Sequence, residues 1–183
     1  MTVSRRRFLH TTGVALSAPF LVKFLGEPAE AALASAKYLV PFTDPRFGNK
    51  IVKVTNPLTT VPGLSVKWEK VARHHYSIDQ AWNADQSLLV MGMGTPGRLF
   101  LNGSTYKPMF NRQHPGGIRW HRTNPSLMVF VGKAGVGIWD VRKDVRQSLN
   151  PLTGYQNADF GEKGNLSDSG AVVPITAKRS DGK

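Results

Sequence analysis

Four of the five histidines in this chain, His74, His75, His114 and His121, fall between positions 74 and 121. Imidazole does two kinds of chemistry near neutral pH: it moves protons as a general acid or base, and in its neutral form it ligates transition metals. His75 stands ten residues ahead of Asp85, and His114 ten residues ahead of Asn124. Asp85 and Asn124 each sit in a polar turn ahead of an apolar run, so the two histidines are expected at equivalent places. Both are candidates for proton transfer, and both for ligands of a divalent metal. Adjacent residues of an extended chain face opposite ways, so only one of His74 and His75 can join a shared site. His75 is assigned to it, and His74 to packing or to a hydrogen bond with the backbone.

A second group lies beside the first. No acidic residue occurs between Asp85 and Asp140, whereas Arg98, Lys107, Arg112, Arg119, Arg122 and Lys133 all do. The stretch NRQHPGGIRWHR gathers Arg112, His114, Arg119, His121 and Arg122 around one short strand. Alternation puts Arg119 and His121 on one face, toward a channel, and Trp120 on the other, toward the packing. Guanidinium groups clamp carboxylates and phosphates through paired hydrogen bonds, so Arg112, Arg119, His121 and Arg122 are expected to bind an anionic substrate. No nucleic-acid-binding module accompanies the charge. The chain has no cysteine, which excludes disulfides, thiolate metal sites, iron–sulfur clusters and covalent c-type haem.

The elements that would position these residues are strands. Short runs of Val, Leu, Ile, Phe and Met alternate with turn residues, and no segment sustains a helical period. One plan recurs: AWNADQSLLVMG at 81–92 and RWHRTNPSLMVFVG at 119–132 share a Trp, a polar turn, a Ser and an apolar run. Ser87 and Ser126 are 39 residues apart, and at the same offset Leu99-Phe100 answers to Ile138-Trp139. NLSDSGAVVPIT at 165–176 is a weaker third copy, with Asp168 standing for Asp85 and Asn124.

This spacing suits four-stranded propeller blades, typically about 40–45 residues each. The expectation is an all-β β-propeller. Its second full blade would have strands Gly117–His121, Leu127–Gly132, Val136–Val141 and Val145–Leu149. The blade before it would have Tyr76–Trp82, Leu88–Met91, Arg98–Leu101 and Lys107–Phe110, and residues 51–55 would be the outer part of an earlier one. About three blades fit, so the ring is incomplete and the chain reads as the front of a longer protein.

Ser4-Arg5-Arg6-Arg7-Phe8-Leu9 resembles the twin-arginine export motif. A short apolar stretch interrupted by Pro19 and Lys23 follows, then Ala34-Ser35-Ala36 before Lys37. Residues 1–36 are thus expected to be a signal peptide handled by the twin-arginine machinery, and 37–183 the propeller domain, periplasmic or secreted and not held in the membrane after cleavage. Removing the signal takes four of 24 basic and two of 12 acidic side chains and leaves 147 residues with a net charge of +10.

The segments DPRFGNKIVKVTNP, HHYSIDQAWNADQSLLVMG and RLFLNG, between Asp44 and Gly103, resemble the opening blades of the oligogalacturonate-lyase-type propellers. That resemblance implies an acidic polysaccharide or oligosaccharide as partner, cleaved by β-elimination. Arg119 would then meet the uronate carboxylate, and His75 or His114 would move a proton or ligate a metal. The other expectation is a non-catalytic propeller that binds a protein or a cell-envelope glycan. Fold alone does not decide between them.

Overall fold

The computed structural model describes residues 35–74, 79–133, 135–161 and 164–181. Most of the export segment, and His75, lie outside the described residues. The described chain forms two compact units. In the smaller, β1 (Pro41–Thr43) pairs with β2 (Lys50–Val52). The turn between them is organised by Asp44, whose Oδ1 accepts from the backbone N–H groups of Arg46 and Phe47. Residues 51–55, expected as the outer part of a blade, thus begin in a two-stranded sheet.

The larger unit holds three antiparallel sheets, none of them closed. The first runs β3 (Leu88–Met91), β4 (Arg98–Asn102) and β5 (Pro108–Arg112), with Trp82 bridging to Leu89 ahead of β3. The second is a four-stranded meander, β6 (Gly117–Trp120), β7 (Leu127–Gly132), β8 (Gly135–Asp140) and β9 (Val145–Asn150). In the third, β10 (Tyr155–Asp159) pairs with β11 (Thr176–Arg179). The protein is all-β: among the described residues there is no helix, and so none long and apolar enough to cross a membrane.

The apolar runs of β3 and β7 are unbroken because both faces of these strands are covered. Leu88, Val90 and Phe100 on one sheet meet Trp120, Met128, Phe130 and Trp139 on the next. The opposite faces bury Leu89, Met91, Leu99 and Leu101 against Val61 and Trp68, and Val129, Val131 and Val136 against Phe160 and Leu166. Phe100 is at the centre of the shared layer. It stacks on Phe110 at 4.9 Å between ring centroids and meets Trp120 and Trp139 edge-on at 5.9 and 6.0 Å.

The repeat is visible in the turns. Asn102 Oδ1 accepts from the N–H groups of Ser104 and Thr105, and Asp140 Oδ1 from those of Arg142 and Lys143. Tyr106 and Asp144, which follow, have φ of 59° and 57°. These hairpins are one design at an offset of 38 residues, not 39. Phe100 pairs with Val90 and Ile138 with Val129, so Ile138 is the counterpart of Phe100. The expected match of Leu99-Phe100 to Ile138-Trp139 is therefore off by one residue.

The third copy needs a similar correction. Asn83 and Ser167 each cap a five-residue turn: Asn83 Oδ1 accepts from Leu88 N–H, and Ser167 Oγ from Val172 N–H. The residues at the tight point, Gln86 and Gly170, have φ of 59° and 75°. With the offset at 84, Ser169 takes the place of Asp85, its Oγ accepting from Ala171 N–H as Asp85 Oδ1 accepts from Ser87 N–H. Asp168 instead faces Arg122 across 3.0 Å.

Two outcomes follow from this framework. Phe100→Ala should cost about 3–5 kcal/mol, read as a lowered denaturant midpoint, because three aromatic partners would face a void. The second concerns Asp85, whose carboxyl is held below the usual carboxylate range by hydrogen bonds from Ser87, first its hydroxyl and then its N–H, with the Arg142 charge adding. A folded-state pKa below the unfolded one contributes stability above the unfolded pKa, and that contribution is lost as pH falls through the folded one. NMR titration should find Asp85 below an ordinary aspartate, and Ser87→Ala should bring it part of the way back, because the N–H bond and the Arg142 charge remain.

Candidate functional site

The leading segments of the three copies, residues 79–82, β6 and β10, converge on a cleft of about 890 Å³. That volume falls within the roughly 300–1,000 Å³ common to ligand sites. Ile118, Trp120, Met128 and Phe160 supply apolar lining, and His74, Asp79, Arg98, His114, Arg119, Lys133 and Asp159 bring charge or proton chemistry.

Arg119 ties the copies together. Its Nη2 lies 3.0 Å from Asp79 Oδ1, with both side chains only 11% exposed. Its Nη1 donates to Ile118 O at 2.9 Å, its Nε to Gly164 O at 3.4 Å, and its guanidinium lies 4.8 Å from the centre of the Phe160 ring. One residue on, Trp120 points the other way, as alternation requires. It is buried in the layer between the sheets, and its Nε1 donates to Ala81 O at 3.0 Å.

Arg98 is the second cation of the cleft. Its Nη1 donates to Gly92 O at 2.6 Å. Burial lowers its pKa, and the Asp79 carboxylate opposes that shift. The guanidinium stays charged at any working pH.

His114 lines the same cleft, 2.6 Å from Gly116 O through Nδ1. A carbonyl only accepts, so Nδ1 carries the proton and the neutral ring keeps its lone pair on Nε2. Strand β6 begins on a glycine for a packing reason. A Cβ on Gly117 would lie 2.6 Å from Asp159 Oδ1 and 3.1 Å from the Phe160 ring. The bare backbone lets β10 carry Asp159 and Phe160 to the cleft wall.

The expected site residues divide. Arg119 and His114 are brought to the cleft. His74, expected to pack, lines it as well. His75 lies outside the described residues. His121 and Arg122 line a smaller pocket beyond Arg119. Arg112 lines neither: at the end of β5 it lies 5.1 Å from the Phe110 ring centre and 3.8 Å from Asp144.

His121 works locally, its Nδ1 accepting from the N–H groups of Thr123 and Asn124 at 3.3 and 3.1 Å. The turn that follows, closed by His121 N–H to Leu127 O, is one residue longer than the Asn83 to Leu88 turn of the first copy. The ten-residue spacings that equated His75 with His114 cross this insertion. No three His, Asp or Glu side chains converge on a possible metal position among the described residues, and no step is routed through a metal here.

Asp79 and Phe160 were not singled out from the sequence, which showed Arg98 and Lys133 only as members of the basic interval between Asp85 and Asp140. Asp79 had a visible signal, an acid in the segment leading to Trp82 that alternation aligns with the cleft. Phe160 had none, since its place depends on the missing side chain of Gly117 in another strand.

Gly170 shows how closely His121 is packed. A Cβ there would lie 2.6 Å from the imidazole Cε1, on a backbone with φ of 75°. Gly154 has a similar φ of 88° but open space around it. Gly154→Ala should cost about 1–2 kcal/mol from the left-handed backbone alone. Gly170→Ala should cost about 1–3 kcal/mol more from overpacking, the difference being read from paired denaturation curves. Comparison with family models, with curated proteins and with solved structures finds no match to this chain.

Proposed function

We propose that this chain is part of an exported β-propeller whose cleft binds an acidic oligosaccharide and cleaves it by β-elimination. The repeated sheets are blades, and the convergence of their leading strands on one cleft supports that reading. The twin-arginine segment at residues 1–36 supports export to the periplasm or beyond.

The observation that carries the function is the set of groups around the cleft: cations at Arg98 and Lys133, His114 with its Nε2 lone pair, and an apolar lining for sugar faces. In the reaction, Nε2 of His114 removes the proton from the carbon next to the uronate carboxylate. The electrons left behind form a carbon–carbon double bond as the adjacent C–O bond breaks, and the departing oxygen takes up a proton. Arg98 and Lys133 stabilise the charge that develops on the carboxylate.

A second reading is favoured by a specific observation. The Arg119 guanidinium is already committed to Asp79, Ile118 O and Gly164 O. A cleft in which one cation is already neutralised suits a non-catalytic propeller that binds a cell-envelope glycan or a protein.

One experiment separates the two. Purified protein is incubated with oligogalacturonate, and the ultraviolet absorbance of the unsaturated product is followed alongside calorimetric binding. Lyase activity predicts product, with His114→Ala slowing its formation about 10²–10⁴-fold while binding persists. Binding without product selects the non-catalytic reading. No binding overturns the acidic-saccharide reading altogether.

A further inference from the structure

We propose that the smaller pocket at the turn end of the leading strands is a second sugar subsite, so that the cleft is one end of a groove made for a chain of sugar units. The inference rests on the acidic-saccharide reading and extends it. This pocket has a volume of about 280 Å³ and shares Gln80, Arg119 and Trp120 with the main cleft. The two pockets therefore adjoin at these three residues. A ligand longer than one unit can follow the leading strands from one to the other.

The chemistry of the small pocket differs from that of the cleft. It contains the amides of Gln80, Gln86 and Asn165, the Trp82 and His121 rings and the Arg122 guanidinium, and no carboxylate is in its lining. Each amide offers both a donor and an acceptor, as a sugar hydroxyl does. The two rings are held in place by the fold. Trp82 Nε1 donates to Gly103 O at 3.2 Å, and the His121 ring is fixed by the backbone N–H groups it accepts from and by Gly170 against it. With Nδ1 of His121 accepting, Nε2 carries the proton in the neutral ring. Gln86 stands on a turn residue with φ of 59°, so its amide starts from a fixed backbone. Rigid rings with several hydroxyl-matching groups suit a sugar unit recognised by its hydroxyls, next to the unit whose carboxylate lies in the cleft.

The test is calorimetric binding of galacturonic acid and of its dimer, trimer and tetramer to the intact protein. A second subsite predicts affinity that rises about tenfold or more from monomer to the longer chains. Gln86→Ala, on a backbone already left-handed, should cut tetramer affinity about fivefold, as should Asn165→Ala, both leaving the monomer unchanged. Having two variants guards against one that disturbs its turn. Equal affinity at every length, or equal losses for monomer and tetramer in both variants, overturns the subsite and leaves the cleft reading standing. No binding at any length overturns both.

Discussion

The need to bury both faces of β3, β4, β7 and β8 governs this structure. A strand apolar on both sides cannot face water, so each sheet must lie between two others or between a sheet and folded loops. Phe100 occupies the layer shared by the two larger sheets, with aromatic partners from both. Once that layer is packed, the leading segment of each copy falls beside the next. Residues 79–82, β6 and the segment around Phe160 are brought together in this way, and the cleft lies where they meet. Its geometry is thus a by-product of packing set by large apolar side chains elsewhere.

The charged pair at this meeting point is costly to desolvate. A buried ion pair often stabilises a fold no better than apolar residues of the same shape, although losing one partner is severe. Arg119 reduces the cost by donating also to two backbone carbonyls and lying over Phe160. It holds three chain segments in fixed relation, each from a different copy of the repeat. Among the described residues, this leaves Arg98 and Lys133 as the cations of the cleft outside an ion pair, with Arg98 still within the field of Asp79.

Much of the architecture was legible in the sequence because its main signal is burial. The bounds expected for β3 and β7 are those observed, and β4, β8 and β9 differ by a residue at their ends. What escaped was one-residue shifts. A loop can lengthen by one residue and keep its closing backbone hydrogen bond, Asn83 N–H to Leu88 O in one copy and His121 N–H to Leu127 O in the next, when a different side chain organises the residues between. Such an exchange leaves apolar spacing nearly unchanged, so a single offset of 39 looked adequate for strands that follow 38 and 39 in turn. The site was less legible for a related reason. Arg119 could be aimed by strand alternation, but Arg112 sits past a bulge in β5, where counting from one strand says nothing about the next. Asp159 and Phe160 lie against β6 at Gly117, where any side chain would collide with them.

Three of the hydrogen bonds between the two large sheets lie close to the leading strands. Trp120 Nε1 reaches Ala81 O, Asn83 Nδ2 reaches Pro125 O, and Arg142 reaches Ser87 Oγ. All three involve the leading strands or the turns next to them. The outermost strand, β9, is exposed along its whole length. Fluctuations should therefore be graded across each sheet, with local opening starting at β9 and dying out toward the leading strands. Such a gradient separates two demands on the molecule. The outer edge can breathe and tolerate substitution, while the walls of the groove stay still through the same thermal motion.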